Sequence, residues 1–265
     1  MQNLNTYNNF YFVGIGGIGM SALARYFHAA GKNVLGYDKT ETKLTTELQN
    51  EGISISFEDV VDEKFSELNK ENTLVIYTPE TKVLGILDYF NQNGFEVLKR
   101  AKVLGLITEN TECISVAGTH GKTTTSSLVA HLCKVANLPF SGFLGGIAEN
   151  YKSNFIYNGT EISVLEADEY DRSFLNLSPD WAIVTSIDAD HLDIYGDTET
   201  IEQGFRDFAD LVPENDQLFV RKGVKIGRPC KTYAVNEEAD FYSDNLRIEG
   251  EKMFFDFNYE GKTEE

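Results

Sequence analysis

The 265-residue chain is short of proline (5), cysteine (3) and tryptophan (1), and it carries 23 basic residues against 42 acidic ones. The three cysteines, Cys113, Cys133 and Cys230, are odd in number and far apart, with no C-x-x-C pair and no histidine at metal-ligand spacing. A disulfide framework or a thiolate metal site is therefore not expected, and the thiols read as reduced and mostly buried. The formal charge of -19 repels nucleic-acid backbones and anionic lipid surfaces at long range, which makes both poor partners. An anionic small ligand stays compatible with that field, because local N–H donors and a bound divalent cation outweigh it at short distance.

Long apolar runs are also missing. No stretch approaches the roughly 20 residues a membrane-spanning helix needs. The first basic residue is Arg25, and the apolar run from Phe10 is broken by Gly14, Gly16, Gly17 and Gly19, so neither a secretory signal nor membrane insertion is expected. There is no internal repeat and no low-complexity tract, and no feature that points to a protein partner. Cytoplasmic localisation is the expectation.

What is present is an alternation of short apolar strands and helical stripes. Asn9 to Val13 stops at a glycine cluster, and Ile18, Ala22, Leu23, Tyr26, Phe27 and Ala30 follow at helical spacing. Gly31 closes that helix, Asn33 to Tyr37 gives the next strand, and Thr73 to Tyr77 and Phe95 to Leu98 continue the pattern. The order begins again with Cys113 to Ala117, a glycine loop, and a helical stripe through Leu128, Val129, Leu132, Cys133 and Val135. Ile162 to Leu165 and Ala182 to Ile187 read as buried parallel strands, Ile201 to Val212 as a helix, and Asn245 to Ile248 with Met253 to Tyr259 as a hairpin. The fold class is α/β. A Rossmann-like parallel-sheet domain over residues 1–108 precedes a P-loop ATPase-type α/β domain over residues 109–265, the latter incomplete at its C-terminal side.

Gly118-Thr119-His120-Gly121-Lys122-Thr123, followed by Thr124, is the strongest chemical signal. N–H groups of a glycine turn at a helix start hold phosphate oxygens, a lysine neutralises them, and a hydroxyl ligates magnesium. Lys122 is assigned to the β/γ-phosphates of ATP and Thr123 to the metal. Gly14-Ile15-Gly16-Gly17-Ile18-Gly19 fits the dinucleotide fingerprint, with Asp38 at the place of a ribose-binding acid. By themselves these residues specify a diphosphate or nucleotide and leave NAD open, and with it an oxidoreductase. Two acidic clusters, Glu166-Ala167-Asp168-Glu169 and Asp188-Ala189-Asp190-His191-Leu192-Asp193, each follow a buried strand. Hard oxygen donors with one imidazole fit Mg²⁺ or Mn²⁺ shared with phosphate, so Glu166 and His191 are candidate ligands beside Thr123.

Taken in order, V-G-I-G-G-I-G-M-S-A-L-A (Val13 to Ala24), A-G-T-H-G-K-T-T-T (Ala117 to Thr125), E-A-D-E-Y-D-R-S-F-L (Glu166 to Leu175) and D-A-D-H-L-D-I-Y-G-D (Asp188 to Asp197) resemble the Mur ligase family over nearly the whole chain. The resemblance implies a UDP-sugar, not NAD, at Gly14 to Gly19 and Asp38, ATP with Mg²⁺ at Gly118 to Thr124, and catalytic roles for Lys122, Glu166 and His191. It implies ATP-dependent joining of L-alanine to the carboxylate of UDP-N-acetylmuramate for peptidoglycan synthesis, with a third, amino-acid-receiving domain outside residues 1–265. A ligase recycling a murein tripeptide onto the same UDP-sugar shares the motifs, and a non-catalytic nucleotide-binding fragment is the reading from another class. Gly145-Gly146 matches a family turn near the sugar. The chain departs from the family pattern at Thr78-Pro79-Glu80-Thr81-Lys82, where a more apolar turn is usual, and at Thr185-Ser186-Ile187, where T-N-I is common.

Overall fold

The computed structural model describes residues 3–61, 65, 67–81, 84–188 and 198–264. The chain divides into two compact units, Met1–Glu112 with Ser126–Leu165, and Cys113–Thr125 with Glu166–Glu265. Among the described residues no helix is long and apolar enough to cross a membrane.

In the first unit, strands β1 (Asn9–Val13), β2 (Asn33–Tyr37), β3 (Ser54–Ser56), β4 (Thr73–Tyr77) and β5 (Glu96–Lys99) form a parallel sheet of order β3-β2-β1-β4-β5. Both faces of β1 are covered. Phe10 stacks on Phe27 of helix α1 (Ile18–Ala29), while Tyr11 and Val13 point the other way, into a cluster with Val75, Phe65, Ile86, Leu87 and Phe90. Such double burial explains why the strand reads as a continuous apolar run. Helix α1 ends where Gly31, at φ +76, lets the Lys32 N–H return to the Phe27 carbonyl. Helix α2 (Lys43–Asn50) starts at a reciprocal cap between Thr42 and Thr45. Helices α3 (Gly85–Gln92) and α4 (Arg100–Thr108) flank β5.

The first unit also holds a hairpin that the sequence pattern did not announce. β7 (Phe140–Ala148) pairs antiparallel with β8 (Ser153–Tyr157) and parallel with β9 (Ile162–Glu166). Gly145 and Gly146 lie inside β7, at a register shift between Phe143 and Ala148, and the chain turns after Ala148. They form a bulged strand segment, which corrects the reading of them as a turn. Tyr26 of α1 packs on Phe143 and Phe155 of this hairpin, and buried Asn154 donates to the Ile18 carbonyl (2.6 Å) and Ser21 Oγ (2.9 Å). Arg25, also buried, donates to Asn154 Oδ1 and pairs with Glu51 at 2.6 Å.

In the second unit β6 (Glu112–Ala117), β10 (Trp181–Val184), β11 (Leu218–Arg221), β12 (Lys231–Val235) and β13 (Phe241–Glu249) run parallel in the order β13-β12-β11-β10-β6. The sheet continues as the antiparallel β14 (Lys252–Tyr259) and β15 (Lys262–Glu264), so the expected hairpin is present, with longer strands. Helix α5 (Lys122–Val135) follows β6, and helix α6 (Thr198–Ala209) packs Phe205 and Phe208 on Phe174. All three thiols are free, with Cys113 and Cys133 buried.

Candidate functional sites

The first glycine loop leaves the carboxyl edge of the five-stranded sheet. In register, Val13 stands beside Tyr37 and Tyr77, and Tyr77 beside Lys99. Asp38, Gly14, Thr78 and Arg100 are therefore each the first residue past one row. Gly14, at φ +86, starts the loop, and the N–H groups of Gly14 and Ile15 donate to the Tyr37 carbonyl at 2.7 and 3.0 Å. Ile15 turns inward, fully buried, and fills the space above Gly36, where a Cβ would meet its Cδ1 at 2.7 Å. Asp38 is bound into the loop: Oδ2 accepts from Gly16 N–H at 2.7 Å and Oδ1 from Thr40 N–H at 3.0 Å. A side chain at Gly16 would meet Asp38 Oδ2 and Thr45 Cγ2, each at 2.8 Å. Burial, with Asp59 and Asp38 nearby, pushes the Tyr37 phenol up, so it stays neutral beneath the loop. Gly17 and Ile18 are exposed at the start of α1, whose N-cap makes no side-chain hydrogen bond. This edge lies where the strand order reverses between β1 and β4, the place at which open parallel sheets take ligands.

The second loop is built more tightly. Gly118, at φ +138, has no room for a side chain: a Cβ would stand 2.0 Å from Thr185 Oγ1 and 2.9 Å from the Ser186 nitrogen. The segment after β10 holds the loop from beneath. Thr185 Oγ1 donates to the His120 carbonyl (2.5 Å), and Ser186 Oγ accepts from His120 N–H (2.9 Å) while lying 2.8 Å from Thr119 Oγ1. The Asp188 N–H donates to Thr119 Oγ1 at 3.1 Å. Thr185 and Ser186 are thus loop supports.

Lys122, at the start of α5, reaches back along the loop. Its Nζ donates to the Gly118 carbonyl at 2.6 Å and stands 2.8 Å from both carboxylate oxygens of Glu169, a side chain only 3% exposed. Thr123 and Thr124 follow it in the first helical turn, both exposed. Glu166 closes β9, and the next N–H, from Ala167, donates to the Val116 carbonyl of β6 at 2.9 Å. Asp168 accepts from Tyr170 N–H at 3.0 Å and shapes its own turn. His120 and Asp188 are mostly exposed, with Nε2 3.9 Å from Oδ2. His191, Asp190 and Asp193 lie outside the described residues. Among the described residues no cluster of three or more metal-ligating side chains occurs. The Thr123 hydroxyl and the Glu166 carboxylate are hard oxygen donors of the kind magnesium takes together with phosphate.

Residues 9–111 match the family model described as Mur ligase family, catalytic domain, and residues 116–263 match Mur ligase middle domain. The chain belongs to the Mur ligase family. This Mur ligase chain is 52% identical over 258 residues to the UDP-N-acetylmuramate–L-alanine ligase of Flavobacterium psychrophilum, covering 96% of itself and 57% of that protein. To the enzyme of the same name from Christiangramia forsetii it is 47% identical over 267 residues, covering 99% of itself and 58% of the relative. It spans less than two thirds of the length of these relatives. Among solved structures it is similar to UDP-N-acetylmuramate-alanine ligase from Thermotoga maritima, with TM-score 0.79 and 26% identity over 96% of this chain and 58% of that one. The fold is also that of UDP-N-acetylmuramate:L-alanyl-gamma-D-glutamyl-meso-diaminopimelate ligase from Neisseria meningitides, with TM-score 0.80 and 23% identity over 97% and 86% of the two chains.

Proposed function

We propose that this Mur ligase chain binds UDP-N-acetylmuramate at its first glycine loop and ATP at its second, and that the whole protein joins L-alanine to the muramate carboxylate. The division of labour follows the domains read from the sequence, residues 1–108 for the sugar nucleotide and 109–265 for ATP. The observation that carries the reading is Lys122 at the mouth of a loop braced by Thr185 and Ser186, backed by 52% identity to a ligase of that name.

A carboxylate does not react with an amine at neutral pH until its oxygen becomes a good leaving group. The muramate carboxylate attacks the γ-phosphorus of ATP, forming an acyl phosphate and releasing ADP. The amine of L-alanine adds to the acyl carbon, the tetrahedral intermediate collapses with loss of phosphate, and the amine proton leaves to solvent. Lys122 stabilises the negative charge on the transferring phosphoryl group, and the N–H groups of Gly121 to Thr123 hold the β-phosphate at the start of α5. Thr123 and Glu166 would hold Mg²⁺ or Mn²⁺, with His191 as the further donor the sequence offers, and the ion would supply charge neutralisation. No serine or cysteine nucleophile enters, in keeping with buried Cys113 and Cys133. The substrates place the protein in the cytoplasm.

The test is phosphate release by the full-length protein. It requires ATP, UDP-N-acetylmuramate and L-alanine together. Release with a murein tripeptide in place of L-alanine points to the recycling ligase, and release independent of the sugar nucleotide overturns the reading.

A further inference from the structure

The sheet edge that carries the first glycine loop carries one charged residue to which no motif assigns a task. Arg100 opens α4 directly after Lys99, in the same row as Val13 and Tyr77, so it leaves the sheet on the side from which Gly14 and Thr78 leave. It is partly buried, and its side chain crosses to α1. A Cβ built on Gly19 would stand 2.7 Å from Arg100 Nη1, 3.2 Å from Cζ and 3.3 Å from Cδ. Gly19 is the second residue of α1, in a first turn that has no acidic residue and no side-chain cap. The guanidinium therefore lies against the first turn of α1, at the sheet edge where the strand order reverses between β1 and β4 and where a helix start offers N–H donors to an anion.

We propose that Arg100 holds the diphosphate of the nucleoside diphosphate sugar, opposite the N–H groups that open α1. The inference rests on the first loop's being the sugar-nucleotide site. It also gives Gly19 a reason that the fingerprint does not: any side chain there occupies the space of the guanidinium. A planar guanidinium gives two parallel charge-assisted bonds to phosphate oxygens, whereas a lysine in its place supplies the charge with a single point of contact. The residue selects for the doubly charged diphosphate, while the base and ribose are left to other groups.

The test titrates the full chain with UDP and, separately, with ATP, and compares the parent with Arg100→Gln and Arg100→Lys. The expected result is a loss of UDP affinity of about tenfold in Arg100→Gln, a smaller loss in Arg100→Lys, and unchanged ATP affinity in both. UDP binding by Arg100→Gln equal to the parent's overturns the proposal. So does a joint loss of UDP and ATP binding, or a lysine variant no better than the glutamine one, since either assigns the residue to packing. A parent chain that binds ATP and not UDP overturns the sugar-nucleotide reading itself, a result distinct from all of these.

Discussion

Lys122 Nζ is 2.8 Å from both oxygens of the buried Glu169 carboxylate, so the lysine proposed to meet phosphate is also the counter-charge of an otherwise costly anion. Removing it acts twice. Lys122→Ala abolishes phosphate release and also strands Glu169, lowering stability by about 3 kcal/mol. The double variant Lys122→Ala with Glu169→Gln regains most of that stability and none of the activity. Urea denaturation beside phosphate release separates the two effects, and equal stability of single and double variants removes the pair from the account.

Gly118 and Gly31 both have positive φ, yet their substitutions differ. At Gly31 nothing lies within 4 Å of a built Cβ, so Gly31→Ala costs about 1 kcal/mol through backbone conformation alone. At Gly118 the Cβ would collide with Thr185 Oγ1 at 2.0 Å, and the loop must shift as a body. Gly118→Ala loses ATP binding outright and about 3 kcal/mol or more of stability, read by thermal melting with and without ATP.

Much of this was legible because it is local. A strand, a glycine loop and a helix start are adjacent in sequence, so Gly14 to Gly19 and Gly118 to Thr124 could be found without knowing the fold. Arg100 could not. Its approach to Gly19 depends on the register of β1, β4 and β5, and a lone arginine at a helix start has no spacing signal. The β7–β8 hairpin was hidden for another reason: Gly142, Gly145 and Gly146 break the apolar run of Phe140–Ala148, and glycine in a strand resembles glycine in a turn. Ser186 looked like a departure from a family asparagine, and only its bond to His120 N–H shows that a hydroxyl serves there.

Asp38 stands at the position of a ribose acid, and in the structure both its oxygens accept from backbone, at Gly16 and Thr40. On the proposed division of sites, a support for this loop affects the sugar nucleotide and leaves ATP alone. Asp38→Ala raises the KM for UDP-N-acetylmuramate about tenfold, the worth of one such bond to a charged acceptor. Asp38→Asn, which retains an acceptor oxygen for Gly16, recovers part of it. Steady-state kinetics with each substrate varied in turn decides, and an equal change in the KM for ATP counts against the assignment.

Asn154 is fully buried and answers three groups at once: it donates to the Ile18 carbonyl and Ser21 Oγ and accepts from Arg25. Its replacement by leucine keeps the volume roughly constant and takes one partner from each of the three, although Ser21 Oγ still donates to the Ile18 carbonyl at 2.9 Å. Arg25 likewise retains Glu51, so none of the three is stranded altogether. The expected loss is about 3 kcal/mol, the sum of one charged and two neutral contacts. Asn154→Asp keeps the acceptor for Arg25 and loses the donor to the Ile18 carbonyl, so it falls between the parent and Asn154→Leu. Equilibrium denaturation of the three proteins orders them, and a leucine variant as stable as the parent means that the network confers no net stability.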